Sequence, residues 1–149
     1  MSLSLQELSD RIEIQDLIYR YSHYIDQKLF DELPKDVFTD DAHIDYSAFG
    51  GTVGDLPSTI EFLKQSLPAF PNTQHLNANI QIELNGDEAS GRVMCFNPME
   101  MDLGEQGKQE FFIGLWYNDK YRRVNGEWRI AERSEEKSWV FNAPDFMGL

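Results

Sequence analysis

The sequence has a single cysteine and no long apolar segment. Cys95 cannot form an intramolecular disulfide, which fits a reducing compartment. The first ten residues contain neither the basic nor the apolar region of a secretion signal, and no run of about 18 apolar residues suggests a membrane span. We therefore expect a cytoplasmic protein that does not associate with membranes.

Basic residues are scarce. The chain has 13 Lys and Arg against 26 Asp and Glu, which gives a formal net charge of −13. A field of this sign repels phosphate backbones and anionic membrane surfaces. The composition therefore argues against nucleic acid as a partner, and it favours a neutral substrate over a polyanion.

Several motifs that carry chemistry are missing. No two of the three histidines have metal-ligand spacing, and there is no Cys-x-x-Cys pair or Gly-x-Ser-x-Gly elbow. The glycines of residues 50–54 match neither a P-loop nor a dinucleotide fingerprint. We expect no metal and no organic cofactor, so any activity should survive exhaustive chelation. What remains is acid–base chemistry by Asp, His and Tyr.

The chain does have the composition of one globular domain. Its 149 residues are 41% hydrophobic and 13% aromatic, which is enough to bury a core. Aromatic side chains at this frequency favour either a core or a pocket for flat ligands. No repeat or linker divides the sequence, so we expect a single domain over residues 1–149.

The N-terminal half is mainly helical in pattern. Ser4 and Glu7 have capping-box spacing, which predicts that a helix begins at Ser4. His23 lies opposite the apolar stripe of this helix, and Asp26 lies off the centre of the stripe. Further helices are predicted over residues 27–33 and 57–67, with a strand at 37–47 and a loop at 48–55 between them. The stripe consists of Ile14, Leu17, Ile18, Tyr21 and Ile25.

The C-terminal half has the pattern of a sheet. Residues 74–84 alternate, with Leu76 to Leu84 on an apolar face and His75 among polar residues on the other. Asn85-Gly86-Asp87 predicts a hairpin from this strand to one at 88–96, and Asn125-Gly126 predicts a second hairpin from a strand at 111–121 to one at 128–141. Residues 111–121 are apolar on both faces, which indicates a strand buried on two sides or placed in a subunit interface. Helices followed by an antiparallel meander predict an α+β fold.

Four short segments resemble the SnoaL-like branch of the nuclear-transport-factor-2-like (NTF2-like) superfamily. Residues 26–33 resemble the Asp-x-x-x-aromatic-Asp-x-Leu opening of that branch, and residues 125–130 resemble its last hairpin. Residues 43–49 and 73–75 resemble scytalone dehydratases in particular. The similarity covers most of residues 5–140. It implies a cone in which three N-terminal helices pack on a strongly curved, mostly antiparallel β-sheet.

The resemblance also implies roles for individual residues. By similarity to scytalone dehydratases, His75 is the acid–base group, Asp26 orients it, Tyr46 holds a substrate oxygen or a water, and Phe49 forms an apolar wall. This chain departs from that pattern at Ile25, where those enzymes have a tyrosine. They also have a histidine and an asparagine where it has Met99 and Tyr117. Bile-acid dehydratases instead match Tyr21, Asp26, Tyr46 and His75, and place an arginine near Lys137.

Each candidate also has a structural interpretation. Asp26 could cap the second helix, and His75 could face solvent with its polar neighbours. Tyr21 and Tyr46 could be core residues. An apolar pocket could also raise the pKa of Asp26 enough to make it a base at neutral pH. The remaining protic residues are expected to be structural or exposed: His23, His43 and Cys95.

Two functions follow as expectations. The first is a cofactor-independent lyase or isomerase that removes a proton next to a carbonyl, and then expels water or shifts a double bond on a small cyclic or aromatic, mostly neutral substrate. The second is a non-catalytic binding or assembly module, because the small subunit of ring-hydroxylating dioxygenases has the same cone. In either case the apolar strand 111–121 predicts a homo-oligomer, either dimer or trimer.

Overall fold

The computed structural model describes residues 2–149, which form helices and strands in alternating groups. Short 3-10 turns at residues 30–32, 47–49, 67–69, 104–106 and 145–147 connect them. The longer elements, in chain order, are α1 (Leu5–Asp26), α2 (Leu33–Asp36), β1 (Phe38–Asp45), β2 (Val53–Asp55), α3 (Leu56–Ser66), β3 (Asn72–Thr73), β4 (Leu76–Asn85), β5 (Glu88–Asp102), β6 (Lys108–Val124) and β7 (Glu127–Phe141).

The strands form one mostly antiparallel sheet. Its order is β2-β1-β7-β6-β5-β3, and β4 also pairs with β5. β1 and β7 form its parallel pair, and the other described pairs are antiparallel. The predicted α+β class is confirmed, with three helices on an open, mostly antiparallel sheet. The helices do not all precede the strands, because β1 and β2 lie between α2 and α3.

Helix α1 follows its sequence pattern closely. The Ser4 hydroxyl accepts a hydrogen bond from the Glu7 backbone N–H, and the Glu7 carboxylate accepts one from the Ser4 N–H, so the predicted capping box is present. The predicted apolar stripe is buried. The second helix was predicted over 27–33 and instead occupies residues 33–36 after a 3-10 turn. Asp26 is the last residue of α1 and does not cap that helix.

Strand β4 differs from the prediction in its side-chain alternation. Its pairing with β5 shifts register between Ala78 and Gln81, and Asn79 has a positive φ of 46°. This bulge exchanges the two faces of the strand. Ile82 is therefore buried beyond the bulge, whereas Leu76 before it is half exposed. The single apolar face predicted over residues 76–84 is thus wrong.

The last four strands form two hairpins, β4–β5 and β6–β7, at the predicted turns. Asn85 pairs with Glu88 and Val124 pairs with Glu127, so the turn residues are Gly86-Asp87 in the first hairpin and Asn125-Gly126 in the second. The strands extend beyond the predicted boundaries, since β5 continues to Asp102 and β6 begins at Lys108.

Within residues 2–149, none of the helices combines the length and hydropathy needed to cross a bilayer.

Candidate active site

A cavity of about 250 Å³ lies between the helices and the sheet. Side chains from α1, α3, several strands and the C-terminal tail line it, and most of them are apolar or aromatic. A volume of this size corresponds to roughly eight waters at about 30 Å³ each. It suits a molecule of one or two rings.

Asp26 and His75 meet at one end of this cavity, although 49 residues separate them. The His75 Nδ1 atom lies 2.6 Å from Asp26 Oδ1, and the His75 backbone N–H donates to Asp26 Oδ2 at 3.0 Å. The Thr73 hydroxyl also donates to Oδ1, at 2.8 Å. Because the same carboxylate binds both the ring and the backbone of His75, the imidazole is held in one orientation.

The other ring nitrogen of His75 lies beside Asn97. The Asn97 side-chain amide nitrogen is 3.2 Å from His75 Nε2. An amide N–H donates, so Nε2 accepts in this arrangement and Nδ1 carries the proton that Asp26 binds. The Asn97 side-chain oxygen is buried and has no hydrogen-bond partner. His75 lines the cavity with an imidazole whose Nε2 is available as a base.

The electrostatics of Asp26 make it a weaker base than an ordinary aspartate. Burial raises the pKa of Asp26, but the hydrogen bonds from His75 and Thr73 lower it by more, so the pKa lies below its ordinary value. The expectation that a pocket could raise this pKa is therefore wrong. Asp26 is ionised, and its side chain is only 18% exposed. A carboxylate in this state holds the tautomer of His75 and favours the imidazolium that forms when His75 takes a proton.

Tyrosines form a second polar region of the cavity wall. The hydroxyls of Tyr21 and Tyr46 are 2.5 Å apart, and Tyr117 packs edge-on against the Tyr21 ring. Burial raises the pKa of Tyr21 to about 12 and raises those of Tyr46 and Tyr117 well above the ordinary value. All three phenols are therefore neutral hydrogen-bond donors at physiological pH.

A buried ion pair supports the tyrosines from behind. The Arg133 guanidinium lies 4.3 Å from the Tyr21 ring centroid and 3.9 Å from that of Tyr117. It donates two hydrogen bonds to the Asp119 carboxylate, at 2.8 and 2.7 Å, and both side chains are fully buried. Truncating either partner would leave an unpaired buried charge. Because Asp119 holds the guanidinium in place, the guanidinium in turn holds the two rings that pack against it.

Glu135 is a further titratable group in the cavity lining. Its strand, β7, shifts register against β6 between Lys120 and Tyr121, and Glu135 pairs with Tyr117 beyond the shift. Burial raises the pKa of Glu135 to about 8; the charge of Arg133 lowers it and that of Asp45 raises it. The carboxyl group is therefore largely protonated at neutral pH.

The structure brings together most of the residues singled out from the sequence. Asp26 contacts His75 from the side away from the cavity, and Lys137 is exposed and does not line the cavity. Lys137 Nζ lies 5.9 Å from the centroid of the Phe49 ring. His23 is exposed and Cys95 is buried, as predicted, and His43, which was expected to be structural, is exposed. The other candidates line the cavity: Tyr21, Tyr46, Phe49, His75, Met99 and Tyr117.

Sequence reasoning missed Thr73, Asn97 and Glu135 as members of this site. Asn97 follows the predicted end of its strand at residue 96, so the prediction does not extend the alternation of Cys95 to it. Glu135 was missed because the bulge in β7 reverses the alternation that Trp128 and Ile130 begin. Among residues 2–149, no group of three or more His, Cys, Asp or Glu side chains could hold a metal ion.

Comparison with known sequences identifies the family. A family model for a SnoaL-like domain matches residues 6–134. The chain belongs to the SnoaL-like family. This confirms the resemblance found in the sequence. The uncharacterised protein Rv2910c of Mycobacterium tuberculosis is 47% identical to this SnoaL-like chain over 135 residues, which cover 91% of this chain and 90% of that protein.

Solved structures show the same fold. A crystal structure of "Putative Scytalone Dehydratase" from Novosphingobium aromaticivorans superposes with a TM-score of 0.80 and 22% identity, covering 92% of this chain and 89% of that one. A hexachlorocyclohexane dehydrochlorinase, LinA type 2, superposes with a TM-score of 0.81 and 20% identity, covering 94% and 93%. At these identities the likeness shows the NTF2-like fold of the SnoaL-like domain.

Proposed function

We propose that this SnoaL-like protein is a cofactor-independent lyase or isomerase of the dehydratase type. In this proposal His75 removes a proton from the carbon next to a carbonyl group of a small cyclic, mostly neutral substrate. The substrate then expels water or shifts a double bond. The observation that carries the proposal is the Asp26–His75 contact at the wall of an apolar cavity, with Nε2 left as the base.

The geometry supports His75 as the base and Asp26 as the group that positions it. Asp26 binds Nδ1 and the backbone N–H of the same histidine, so the ring cannot turn without losing a charge-assisted hydrogen bond. A positioned base of this kind contributes about 10²–10⁴ to a reaction rate. Asn97 would give up its contact with Nε2 when a substrate C–H approaches.

The tyrosine region supports a role for Tyr21, Tyr46 and Tyr117 in holding the substrate oxygen. Neutral phenols that donate hydrogen bonds stabilise the negative charge that develops on a carbonyl oxygen as the proton leaves. Phe49 and Met99 would contact the apolar part of the substrate. We propose that Lys137 acts only near the mouth of the cavity, because its side chain is exposed.

Two similar structures are consistent with elimination chemistry. They are described as a "Putative Scytalone Dehydratase" and a hexachlorocyclohexane dehydrochlorinase, and these names denote the loss of water and of hydrogen chloride. The alternative is a non-catalytic binding or assembly module. The buried His75–Asp26 pair beside an open cavity favours the enzyme, because a pure binding module needs no positioned base.

We further propose that residues 1–149 act as one SnoaL-like domain with the strongly curved cone of that superfamily, in the cytoplasm and as a homo-oligomer. The oligomer would use the aromatic side chains on the outer face of the sheet. Phe96, Trp139 and Phe141 are each more than a third exposed there. A monomer that exposes a contiguous aromatic surface of this kind is unusual.

The test is turnover of a panel of cyclic β-hydroxy ketones and β,γ-unsaturated ketones, followed by the appearance of the conjugated enone. Wild-type protein should convert at least one member, and His75→Ala should lose at least about 10² in rate. His43→Ala is the matched control, since His43 is exposed and lies outside the cavity. Equal turnover by His75→Ala and wild type would contradict the proposal.

A further inference from the structure

Glu135 is an acidic residue in an otherwise apolar and phenolic part of the cavity wall. No hydrogen bond to its carboxyl group is formed by the residues that the structure describes, whereas Asp26, the other carboxylate of the site, accepts three. Glu135 is partly buried and faces the cavity, and a carboxylate without a partner in such an apolar site costs free energy unless it is neutral or a ligand binds it. This position therefore calls for a functional explanation.

We propose that Glu135 is a second catalytic acid of this site, which holds and protonates the carbonyl oxygen of the substrate. The inference rests on the proposed function, and it adds the substrate class: an uncharged ketone whose oxygen enters the tyrosine region. A substrate that carries a carboxylate there would bind poorly, because Glu135 would share its proton with a second acid or face it as a second negative charge.

The groups around Glu135 define its protonation. Asp45 adjoins Tyr46 at the end of β1 and adds negative charge, whereas Arg133 on the same strand adds positive charge but is already paired with Asp119. An ionised Glu135 raises the pKa of the nearby phenols and thiol, so these groups stay neutral at physiological pH and add no charge beside it. Those neighbours are Tyr21, Tyr46, Cys95 and Tyr117.

The proposed step balances within the site. His75 Nε2 forms a bond to the proton on the α-carbon, and the C–H electron pair becomes a C=C bond as the carbonyl π pair moves to oxygen. The Glu135 O–H bond breaks and its proton goes to that oxygen, which gives an enol. In an elimination the enol proton returns to Glu135, the β C–O bond breaks with its pair, and the His75 proton completes the departing water. In an isomerisation the His75 proton goes to the γ-carbon instead.

The first measurement is the protonation state of Glu135 without any substrate. The protein is labelled with ¹³C at the glutamate carboxyl carbons, and the Glu135 resonance is identified by its absence from Glu135→Gln. We expect its midpoint near pH 8, where the burial of the group places it. A midpoint at or below the ordinary glutamate value of 4.5 would overturn the inference.

The second measurement is binding of the neutral ketone 1-tetralone by calorimetry, at pH values well below and well above about 8. Wild type should lose at least about tenfold in affinity at the higher pH, Glu135→Gln should bind equally at both, and Glu135→Leu should bind weakly at both. Glu132→Gln, on the same strand but exposed, should behave as wild type. Wild-type affinity in Glu135→Leu, or the same pH dependence in Glu135→Gln, would overturn the inference.

The two proposals can fail separately. If His75→Ala abolishes turnover but the Glu135 variants bind 1-tetralone as wild type does, the inference is wrong and the proposed function stands. If Glu135 is neutral and binds the ketone but His75→Ala retains full turnover, the oxygen-binding role of Glu135 survives and its part in the His75 step is wrong.

Discussion

At the scale of single residues, the candidate site depends on how two carboxyl groups are solvated. Asp26 accepts three hydrogen bonds from Thr73 and His75, which keeps it ionised despite burial. Glu135 has no such donors, so burial decides its protonation and keeps it neutral. The site therefore combines a carboxylate that orients the base from behind and a carboxylic acid in the cavity wall that can donate.

We predict that Asp26 and His75 act as a unit. Asp26→Asn and His75→Ala should each lower turnover by about 10²–10⁴, because each removes the positioned base. The double variant should be little worse than the poorer single variant, since the second change removes nothing that still works. Steady-state kinetics on the four proteins checks this, with circular dichroism to confirm folding. Multiplying losses in the double variant would show two independent roles.

A second prediction concerns stability and Glu135. Its pKa is raised from 4.5 to about 8, so the folded protein holds this proton at pH values where the unfolded chain has lost it. The free energy of unfolding should therefore fall as pH rises from about 4.5 to about 8, and this fall should end above the folded pKa.

Urea unfolding across this range tests the stability prediction. The free energy of unfolding of wild type minus that of Glu135→Gln should decrease with rising pH by more than about 1.4 kcal/mol, which corresponds to one pKa unit. Glu132→Gln should leave the wild-type profile unchanged, because its side chain is exposed. Parallel pH profiles for wild type and Glu135→Gln would show that Glu135 titrates normally.

At the scale of secondary-structure elements, bulges decide which side chains face the cavity. In β4 the bulge lies at Asn79, which has a positive φ. Before the bulge Asn77 contacts Ser22 of α1, and beyond it Ile82 is buried. In β7 an equivalent shift brings Arg133 and Glu135 to the inner face after Ile130. One inserted residue in each strand thus reverses the alternation and moves polar groups inward.

We predict that Asn79 is sensitive to β-branched substitution. Asn79→Val should destabilise the protein by about 1–3 kcal/mol, because a β-branched residue is strained at a positive φ. Asn79→Gly should be neutral within about 0.5 kcal/mol, since glycine adopts that φ without strain. Gln81→Val, at an exposed position of the same strand, is the control. Equal midpoints of thermal unfolding for Asn79→Val and Gln81→Val would show that the bulge carries no conformational constraint.

At the scale of the whole molecule, the outer face of the sheet is the main surface without a described partner. Phe112 stacks on Phe141, and Phe96 lies 5.7 Å from both Phe112 and Trp139, measured between ring centroids. Trp139 lies directly over Gly114, where any Cβ would meet its indole at 2.2 Å. We call these four aromatic residues, Phe96, Phe112, Trp139 and Phe141, the outer aromatic patch.

We predict a homo-oligomer, dimer or trimer, that buries the outer aromatic patch. Sedimentation at micromolar concentration should show it, and the double variant Trp139→Gln with Phe141→Gln should be monomeric, because both side chains are exposed in the protomer. Leu5→Gln changes an apolar residue on α1 that is even more exposed, and it should keep the oligomer. A wild-type monomer would contradict the prediction.

The sequence by itself determined the elements and the family. Capping residues, helical and strand periodicity and Asn-Gly turns act over a few neighbouring residues, so α1 and both hairpins could be located within a few positions. The resemblance also singled out Asp26, His75, Tyr21 and Tyr46. These signals are local in the chain, or carried by short segments such as residues 73–75.

Only the tertiary structure decided which protic groups share the cavity and in what state of charge. Asn97 became visible because β5 continues past residue 96, and Glu135 because the bulge in β7 reverses the facing that regular alternation assigns. The pKa of Asp26 moved opposite to the expectation because hydrogen bonds from Thr73 and His75 outweigh burial. Such contacts join residues far apart in sequence, and burial depends on all elements together, so no local pattern encodes them.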